Sequence, residues 1–304
     1  MSHAYRLAAL KLVSDLDLPE LMQWDGPDDA AADIIVRLGD VPPQLEAPDY
    51  IAPVFQTKGR DAYLLSLPGT GRIQVQNGRK VTVDPDPAAN QTDMRAILTG
   101  TIQAVLWHQR GLLPLHASAV ALDGRAVALA GPAASGKSTL AAMLTAKGHQ
   151  VAADDVCIVD VRDGDDVTVL PGTPQLRLWR DATDYLGIAT ECRSQVRRDK
   201  ETFAVHLPSG FVRKPQKLAA VVVLHRRSNS PLSIEKLYGL SAISALRQVV
   251  HTRRAARALG RERDIFFALT RFAAAGVAIW RLRIPEDPAC LQEAGAKVLS
   301  ALEA

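Results

Sequence analysis

The sequence predicts an α/β fold built on a phosphate-binding loop, with a β-rich segment ahead of it. Three observations carry that expectation. Gly131-Pro132-Ala133-Ala134-Ser135-Gly136-Lys137-Ser138-Thr139 matches G-x-x-x-x-G-K-[ST], with an apolar run before it and an amphipathic run after it. The first 90 residues carry short β-branched and alternating runs. From residue 92 onward, helical spacing and strand-like runs alternate.

Taken in order, Asp33-Ile34-Ile35-Val36-Arg37-Leu38 is a short strand bounded by Gly39 and Pro42-Pro43. Residues 72–83 alternate apolar and polar on both sides of Asn77-Gly78. That dipeptide supplies the two positive-φ residues of a type I′ turn, so the segment is a hairpin. Asp84-Pro85-Asp86-Pro87 breaks the pattern. Over 92–109 the period becomes helical, with Met94, Ile97, Leu98, Ile102, Val105 and Leu106 on one face. Gly111 and Pro114 end that helix. A second hairpin follows, 115–121 and 126–130, turning at Asp123-Gly124, with its second strand buried. The loop then leads into a helix over 137–147 stopped by Gly148. Val151-Ala152-Ala153 is a short strand ending at Asp154-Asp155. Further on, 218–224 reads as a buried strand, 241–259 as a helix with Ser241 as N-cap, 262–275 as a second helix and 277–284 as a strand. Asp287-Pro288 opens the last helix, Asp at the N-cap and Pro at the first helical position. The expected division is a β-rich domain over 1–100 and a phosphate-loop domain over 101–304, with the boundary in the region 88–112.

The chain has 304 residues, 47% hydrophobic and 23% charged, which excludes disordered and fibrous classes. No apolar run reaches the roughly 20 residues of a membrane span, and the start lacks the pattern of a secretory signal. Cys157, Cys192 and Cys290 are odd in number and widely spaced, so neither a disulfide framework nor a zinc pattern is expected. Reduced thiols in a cytoplasmic protein follow. The net charge of +3 is uneven: residues 1–100 hold 9 Lys/Arg against 14 Asp/Glu, and residues 211–304 hold 16 against 7. A basic last third suits a phosphate or acidic peptide. Neither nucleic acid nor membrane is expected as a partner.

Each loop residue has a chemical reason. Gly131 and Gly136 let the backbone wrap so that the N–H groups of Ala134, Ser135, Gly136 and Thr139 face phosphate oxygens. The helix N-terminus adds a favourable dipole. Lys137 is a point charge for the β- and γ-phosphates, and Ser138 offers a hydroxyl to Mg²⁺. Asp154-Asp155 ends a strand 17 positions after Lys137, where α/β sheets place their ligands. One carboxylate can bind Mg²⁺ and the other can accept a proton from an attacking hydroxyl. Adjacent strand residues point apart, but at a strand end the backbone turns and both reach the site. His116 starts the strand two before the loop and lies near the site. His206, His225 and His251 are read as structural.

Leu115-His116-Ala117-Ser118-Ala119-Val120, the loop, and Val151-Ala152-Ala153-Asp154-Asp155 together resemble the catalytic core of the HPr kinase/phosphorylase superfamily. Leu18-Pro19-Glu20-Leu21, Val36-Arg37-Leu38-Gly39-Asp40-Val41-Pro42 and the run from Gln109 to His116 resemble its HPr-kinase-related members, some of them in lasso-peptide gene clusters. The resemblance implies the α/β phosphate-loop kinase core shared with phosphoenolpyruvate carboxykinase, and an ATP- and Mg²⁺-dependent serine kinase. Its substrate would be a peptide or protein bearing a serine, such as the C-terminal serine of a lasso precursor. Homo-oligomers are common in that superfamily. By resemblance Asp154 is the proton acceptor with His116 beside it, Asp155 and Ser138 hold Mg²⁺, and Lys137 holds the transferred phosphate. Two departures stand out. Pro132-Ala133-Ala134 is stiffer than a glycine-rich loop, and Gln175 in Gln175-Leu176-Arg177-Leu178-Trp179 stands where the family carries an acid. Arg177 is a candidate phosphate or substrate contact, and Trp179 is expected in the core. Arg247, Arg253, Arg254 and Arg257, on the helix expected from Ser241, are candidate peptide contacts. Two other readings stay open: a small-molecule phosphate-loop kinase, and a non-catalytic module that senses nucleotide or binds peptide.

Overall fold

Residues 3–85 fold into one nine-stranded sheet. The structure is a computed structural model and describes residues 2–162, 166–189, 193–197, 202–207, 210–226, 231–287 and 289–303. The sheet runs Met22–Gln23, His3–Leu7, Leu10–Ser14, Ile34–Leu38, Lys80–Pro85, Gly71–Gln76, Ala62–Leu67, Phe55–Lys58, Tyr50–Ile51. Ile34–Leu38 pairs in parallel with both neighbours and the other pairs are antiparallel. The expected hairpin forms: Asn77 and Gly78 sit at φ 55° and 59°, and the Arg79 amide donates to the Gln76 carbonyl at 3.0 Å.

The helical spacing over 92–109 gives a helix with an interruption. Gln91–Ile97 is α-helical, Leu98–Ile102 is a π turn, and Gln103–Gln109 is α-helical again. Asn90 caps the start, its side chain accepting from the Thr92 amide at 2.8 Å. One face, including Met94, Ile102, Val105 and the fully buried Trp107, packs against Tyr5, Ile34, Val75 and Val81 of the first sheet. The same cluster takes in Val156 and Ile158 of the second sheet, so this helix is the packing joint between the two.

The second sheet is mixed and has eight strands. Arg125–Ala130, Gln216–Arg226 and Ala278–Ile284 run parallel. Arg125–Ala130 is also antiparallel to Leu113–Leu122, which continues through Val156–Asp160 and Thr168–Leu170 back to Gln216–Arg226. The ladder therefore closes on itself. Gln150–Ala153 pairs with Leu113–Leu122, and Ser233–Leu237 forms the far edge. The phosphate loop leaves the carboxyl end of Arg125–Ala130, which is where open α/β sheets bind ligands. A third small sheet carries Gln175–Trp179, Thr202–His206 and Arg193–Arg197.

One expected helix is two. Gly239–Gln248 ends at Val249, and Arg253–Ala258 starts after Thr252, which sits at φ 47°. The intervening residues lie against Leu113–Leu122 as an extra bridge. The His116 amide donates to the Val249 carbonyl at 2.7 Å and the His251 amide to the Pro114 carbonyl at 2.9 Å. Two β-branched residues, Val249 and Val250, favour that extended path over a helical one. Ser241 is not the N-cap; Tyr238 holds that position and the Ser241 hydroxyl donates to its carbonyl at 2.7 Å. The later elements fall where expected, as Glu262–Ala274, Ala278–Ile284 and Cys290–Glu303. Asp287 accepts from the Ala289 amide at 2.9 Å. Pro288 and Cys192 lie outside the described residues. No helix among the described residues is long and apolar enough to cross a membrane.

The break in the helix is held from below. His108, fully buried, donates from Nε2 to the His251 carbonyl at 2.9 Å, and Arg261 donates to the His108 carbonyl. Burial lowers the His108 pKa to about 4; the Arg261 and His251 charges act the same way, against the pull of the His251 carbonyl. Below the ordinary value of 6.5 the unfolded chain takes up a proton that the native state refuses. Stability therefore falls as pH drops from 6.5 to about 4, by roughly 3 kcal/mol. Urea midpoints measured across that window show the loss, and His108→Gln flattens it. An unchanged slope in that variant contradicts the assignment.

Candidate active site

The loop is shaped for an anion. Gly131 sits at φ 154°, where an added Cβ would meet the Leu224 carbonyl at 2.8 Å and the Ser135 hydroxyl at 2.9 Å. Gly136 is at φ 95°, and Ala134 adopts φ 63°, a conformation alanine takes only under constraint. Ser135 is buried, and its hydroxyl has no partner among the described residues. Lys137 opens the helix Lys137–Ala146 and is itself buried. Its Nζ donates to the Pro132 carbonyl at 2.8 Å and lies 3.1 Å from His116 Nε2. Burial lowers the Lys137 pKa, while Asp154 and Asp155 pull it up. An orphaned hydroxyl, a tight left-handed backbone and a desolvated ammonium fit a triphosphate.

The two carboxylates both reach the site, because Asp155 turns into the left-handed region at φ 64° as the strand ends. Their surroundings differ. Asp154 is 4% exposed and accepts three hydrogen bonds. Its Oδ1 accepts from the Ser118 hydroxyl at 2.5 Å and the Ser138 hydroxyl at 2.8 Å, and its Oδ2 accepts from the Arg177 amide at 2.6 Å. Burial raises its pKa against those hydrogen bonds. The Asp155 side chain is 24% exposed. Its Oδ1 is 3.2 Å from His116 Nδ1 and 3.8 Å from His251 Nε2, and its Oδ2 accepts from Arg177 Nη1 at 2.8 Å. Burial would raise Asp155, but the His116 and His251 hydrogen bonds and the Arg177 charge outweigh it and hold the carboxyl well below its usual range. Lys137 donates to His116 Nε2, so the His116 proton sits on Nδ1, facing Asp155.

The contacts in the structure pair these residues differently from the expectation, while Asp155 lies with His116 and His251 in a group whose ligand atoms are within 4.8 Å of one another and could hold a metal ion. Ser138 is set against Asp154, not Asp155, and His116 is set against Asp155, not Asp154. The physical reason is the turn itself: Asp154 keeps its strand orientation into the core, and Asp155 is flipped outward by its positive φ.

Arg177 lines a cleft together with Lys137 and is tied into the site. Besides Asp155 it donates from Nη2 to the Thr99 hydroxyl at 2.5 Å. The π turn makes this contact: a Cβ at Gly100 would lie 3.4 Å from Asp155 Oδ2 and 3.5 Å from Arg177 Nη1. π turns recur at functional sites for such reasons. Gln175 is fully buried, and neither atom of its amide has a partner among the described residues. Trp179, expected in the core, is 48% exposed, because Gln175–Trp179 ends at a cleft mouth.

His251 was read as structural, yet the helix break carries its ring to the site, edge-on to His116 at 5.2 Å. Val249-Val250 within an otherwise helical run is the signal that marks the break. Thr252 next to it, Ala134 and Asp155 are all at positive φ. Two clefts open at the loop, the first lined by Lys137 and the second by its partners His116 and Pro132. One is lined by Gly136, Lys137, Ser138, Thr139, Trp179 and Tyr185. The other is lined by His116, Gly131, Pro132, His225, Gln248 and His251. Arg247, Arg253 and Arg257 line a groove that adjoins the second cleft at Val250. Arg254 is exposed beside this groove and does not line it.

The sequence matches no protein-family model and no curated protein. Among solved structures it is similar to the Hpr(Ser) kinase/phosphatase from Coxiella burnetii. The identity is 13%, over 62% of this chain and 97% of that one, with a TM-score of 0.32.

Proposed function

We propose that the chain is an ATP- and Mg²⁺-dependent kinase that phosphorylates a serine hydroxyl of a peptide or protein. The observation that carries this reading is the convergence, between two clefts, of the loop lysine with one sealed carboxylate and one accessible carboxylate. Lys137 and the loop amides hold the phosphates. Ser138 and Asp154 are the residues to hold Mg²⁺, which when bound neutralises phosphate charge. Asp155 is the proton acceptor because, of the two carboxylates, it is the one open to an incoming hydroxyl, and reach comes before pKa in choosing a base. His116 and His251 orient it. Asp155 takes the hydroxyl proton as the serine oxygen bonds to the γ-phosphorus and the β–γ bridging oxygen leaves with ADP.

The peptide is held in the second cleft, with its terminal carboxylate or acidic residues in the groove of Arg247, Arg253 and Arg257. A C-terminal serine, as in a lasso precursor, would bring hydroxyl and carboxylate together. Arg247 and Arg257 each lie near Glu262, at 3.4 and 3.7 Å, so the groove keeps a net positive charge. Changing the three arginines to Gln raises the peptide KM about tenfold, equivalent to about 1.4 kcal/mol, and leaves the ATP KM unchanged. Added salt raises the peptide KM of the wild type and has less effect on the variant. A peptide KM indifferent to both removes the groove from substrate binding.

Intact-mass measurement of serine-ended peptides after incubation with ATP and Mg²⁺ tests the reaction, with small alcohols as competing acceptors. Phosphorylated peptide is the expected product. Phosphorylated alcohol alone favours a small-molecule kinase. ATP binding without transfer to any acceptor favours a sensing module.

A further inference from the structure

Gln175–Trp179 is anchored to the phosphate site by one backbone hydrogen bond, from the Arg177 amide to Asp154 Oδ2. Alternate residues of a strand share a face, about 7 Å apart. Gln175, Arg177 and Trp179 therefore form a row: buried, half-buried beside Asp155, and exposed at the cleft mouth. Trp179 is the N-cap residue of the helix Arg180–Tyr185, and its side chain makes no cap hydrogen bond. Tyr185, the last residue of that helix, is 41% exposed. Both aromatic rings line the cleft that Gly136, Lys137, Ser138 and Thr139 also line. Two large aromatics left half in water beside a phosphate loop offer flat apolar faces, and a nucleotide carries a matching ring a ribose away from its phosphates.

We propose that Trp179 and Tyr185 are the nucleobase platform of this site: the base of the bound nucleoside triphosphate stacks on Trp179, with Tyr185 flanking it. The inference rests on the kinase reading and adds the subsite that separates a nucleotide from a bare polyphosphate. Stacking is tolerant of base identity, since every base has a π face. Arg226, on the same cleft, donates to the Glu286 carbonyl at 2.6 Å and so forms a fixed wall.

The test compares ATP with inorganic tripolyphosphate by calorimetry and by tryptophan fluorescence. Wild-type protein binds ATP at least tenfold more tightly than tripolyphosphate. ATP, and not tripolyphosphate, quenches a component of the emission that is missing in Trp179→Phe. Trp179→Ala weakens ATP roughly tenfold to a hundredfold and leaves tripolyphosphate unchanged. Trp179→Phe restores most of the ATP affinity, because a second aromatic ring still stacks. ATP affinity unchanged in both Trp179→Ala and Tyr185→Ala overturns the platform, and so does equal loss of both ligands in Trp179→Ala, which marks a structural role. Wild-type binding of tripolyphosphate with no preference for ATP overturns the platform and leaves the phosphate loop standing. Binding of neither ligand overturns the platform and the kinase reading together.

Discussion

Asp155→Asn lowers the rate of phosphoryl transfer by about 10²–10⁴-fold while ATP affinity stays close to the wild-type value. The side chain keeps its size and the proton acceptor is lost. The single amide oxygen keeps one of the His116 and Arg177 contacts while the amide nitrogen faces the other donor, so the rate is compared at equal bound ATP and with the fold checked. The neighbouring change reads out differently. The two Asp154 oxygens accept from three donors, Ser118, Ser138 and the Arg177 amide. An amide nitrogen in place of either oxygen faces a donor with a donor. Asp154→Asn therefore lowers stability by about 1–3 kcal/mol, and it raises the Mg²⁺ concentration needed for half-maximal rate. Single-turnover rates, Mg²⁺ titrations and urea midpoints on the two variants separate the roles. Asp154→Asn with the clean rate loss, and Asp155→Asn without it, would return the proton-acceptor role to Asp154.

Lys137→Ala is the second large effect. It removes the buried ammonium that lies between the Pro132 carbonyl and His116. Donors aimed at developing charge in a dry site are worth roughly 10²–10³-fold in rate, and the loss here falls in that range with ATP binding also weakened. Lys137→Arg fails as well. A planar fork with five donors does not replace a compact ammonium in a space closed by a carbonyl and an imidazole. Wild-type turnover in either variant, with circular dichroism confirming an intact fold, would defeat the phosphate-loop assignment.

The parts of the fold written in local chemistry were legible. Asn77-Gly78 and Asp123-Gly124 force their turns, and each strand around them forms. The backbone of the loop is legible for the same reason, since Gly131 and Gly136 take the positive φ that their type permits. What was not legible depends on contacts distant in sequence. The run 241–259 has helical spacing on both sides of Val249-Val250, and it is pairing with the distant Leu113–Leu122 strand, supported from His108, that makes those β-branched residues break the helix. His251 reaches the site by that displacement alone. The π turn likewise brings Thr99 to Arg177 across 78 residues of sequence. Which of Asp154 and Asp155 meets Ser138 and which meets His116 turns on one backbone angle, the positive φ of Asp155, which the residue types permit but do not dictate. Trp179 is expected in the core because a tryptophan is more often core than site, and the end of its strand at a cleft leaves it half exposed.

The central claim is that phosphoryl transfer to a serine runs through an accessible Asp155 held by His116, with Asp154 sealed behind it. The most direct measurement is a single-turnover reaction with ATP labelled at the γ-phosphate, Mg²⁺ and a peptide ending in serine, run on wild type, Asp155→Asn and His116→Ala. The account predicts label on the peptide serine with wild type, a rate lower by about 10²–10⁴-fold with Asp155→Asn at equal bound ATP, and a smaller loss with His116→Ala. Wild-type protein that binds ATP and labels no hydroxyl, or Asp155→Asn that labels the peptide at the wild-type rate, would contradict it.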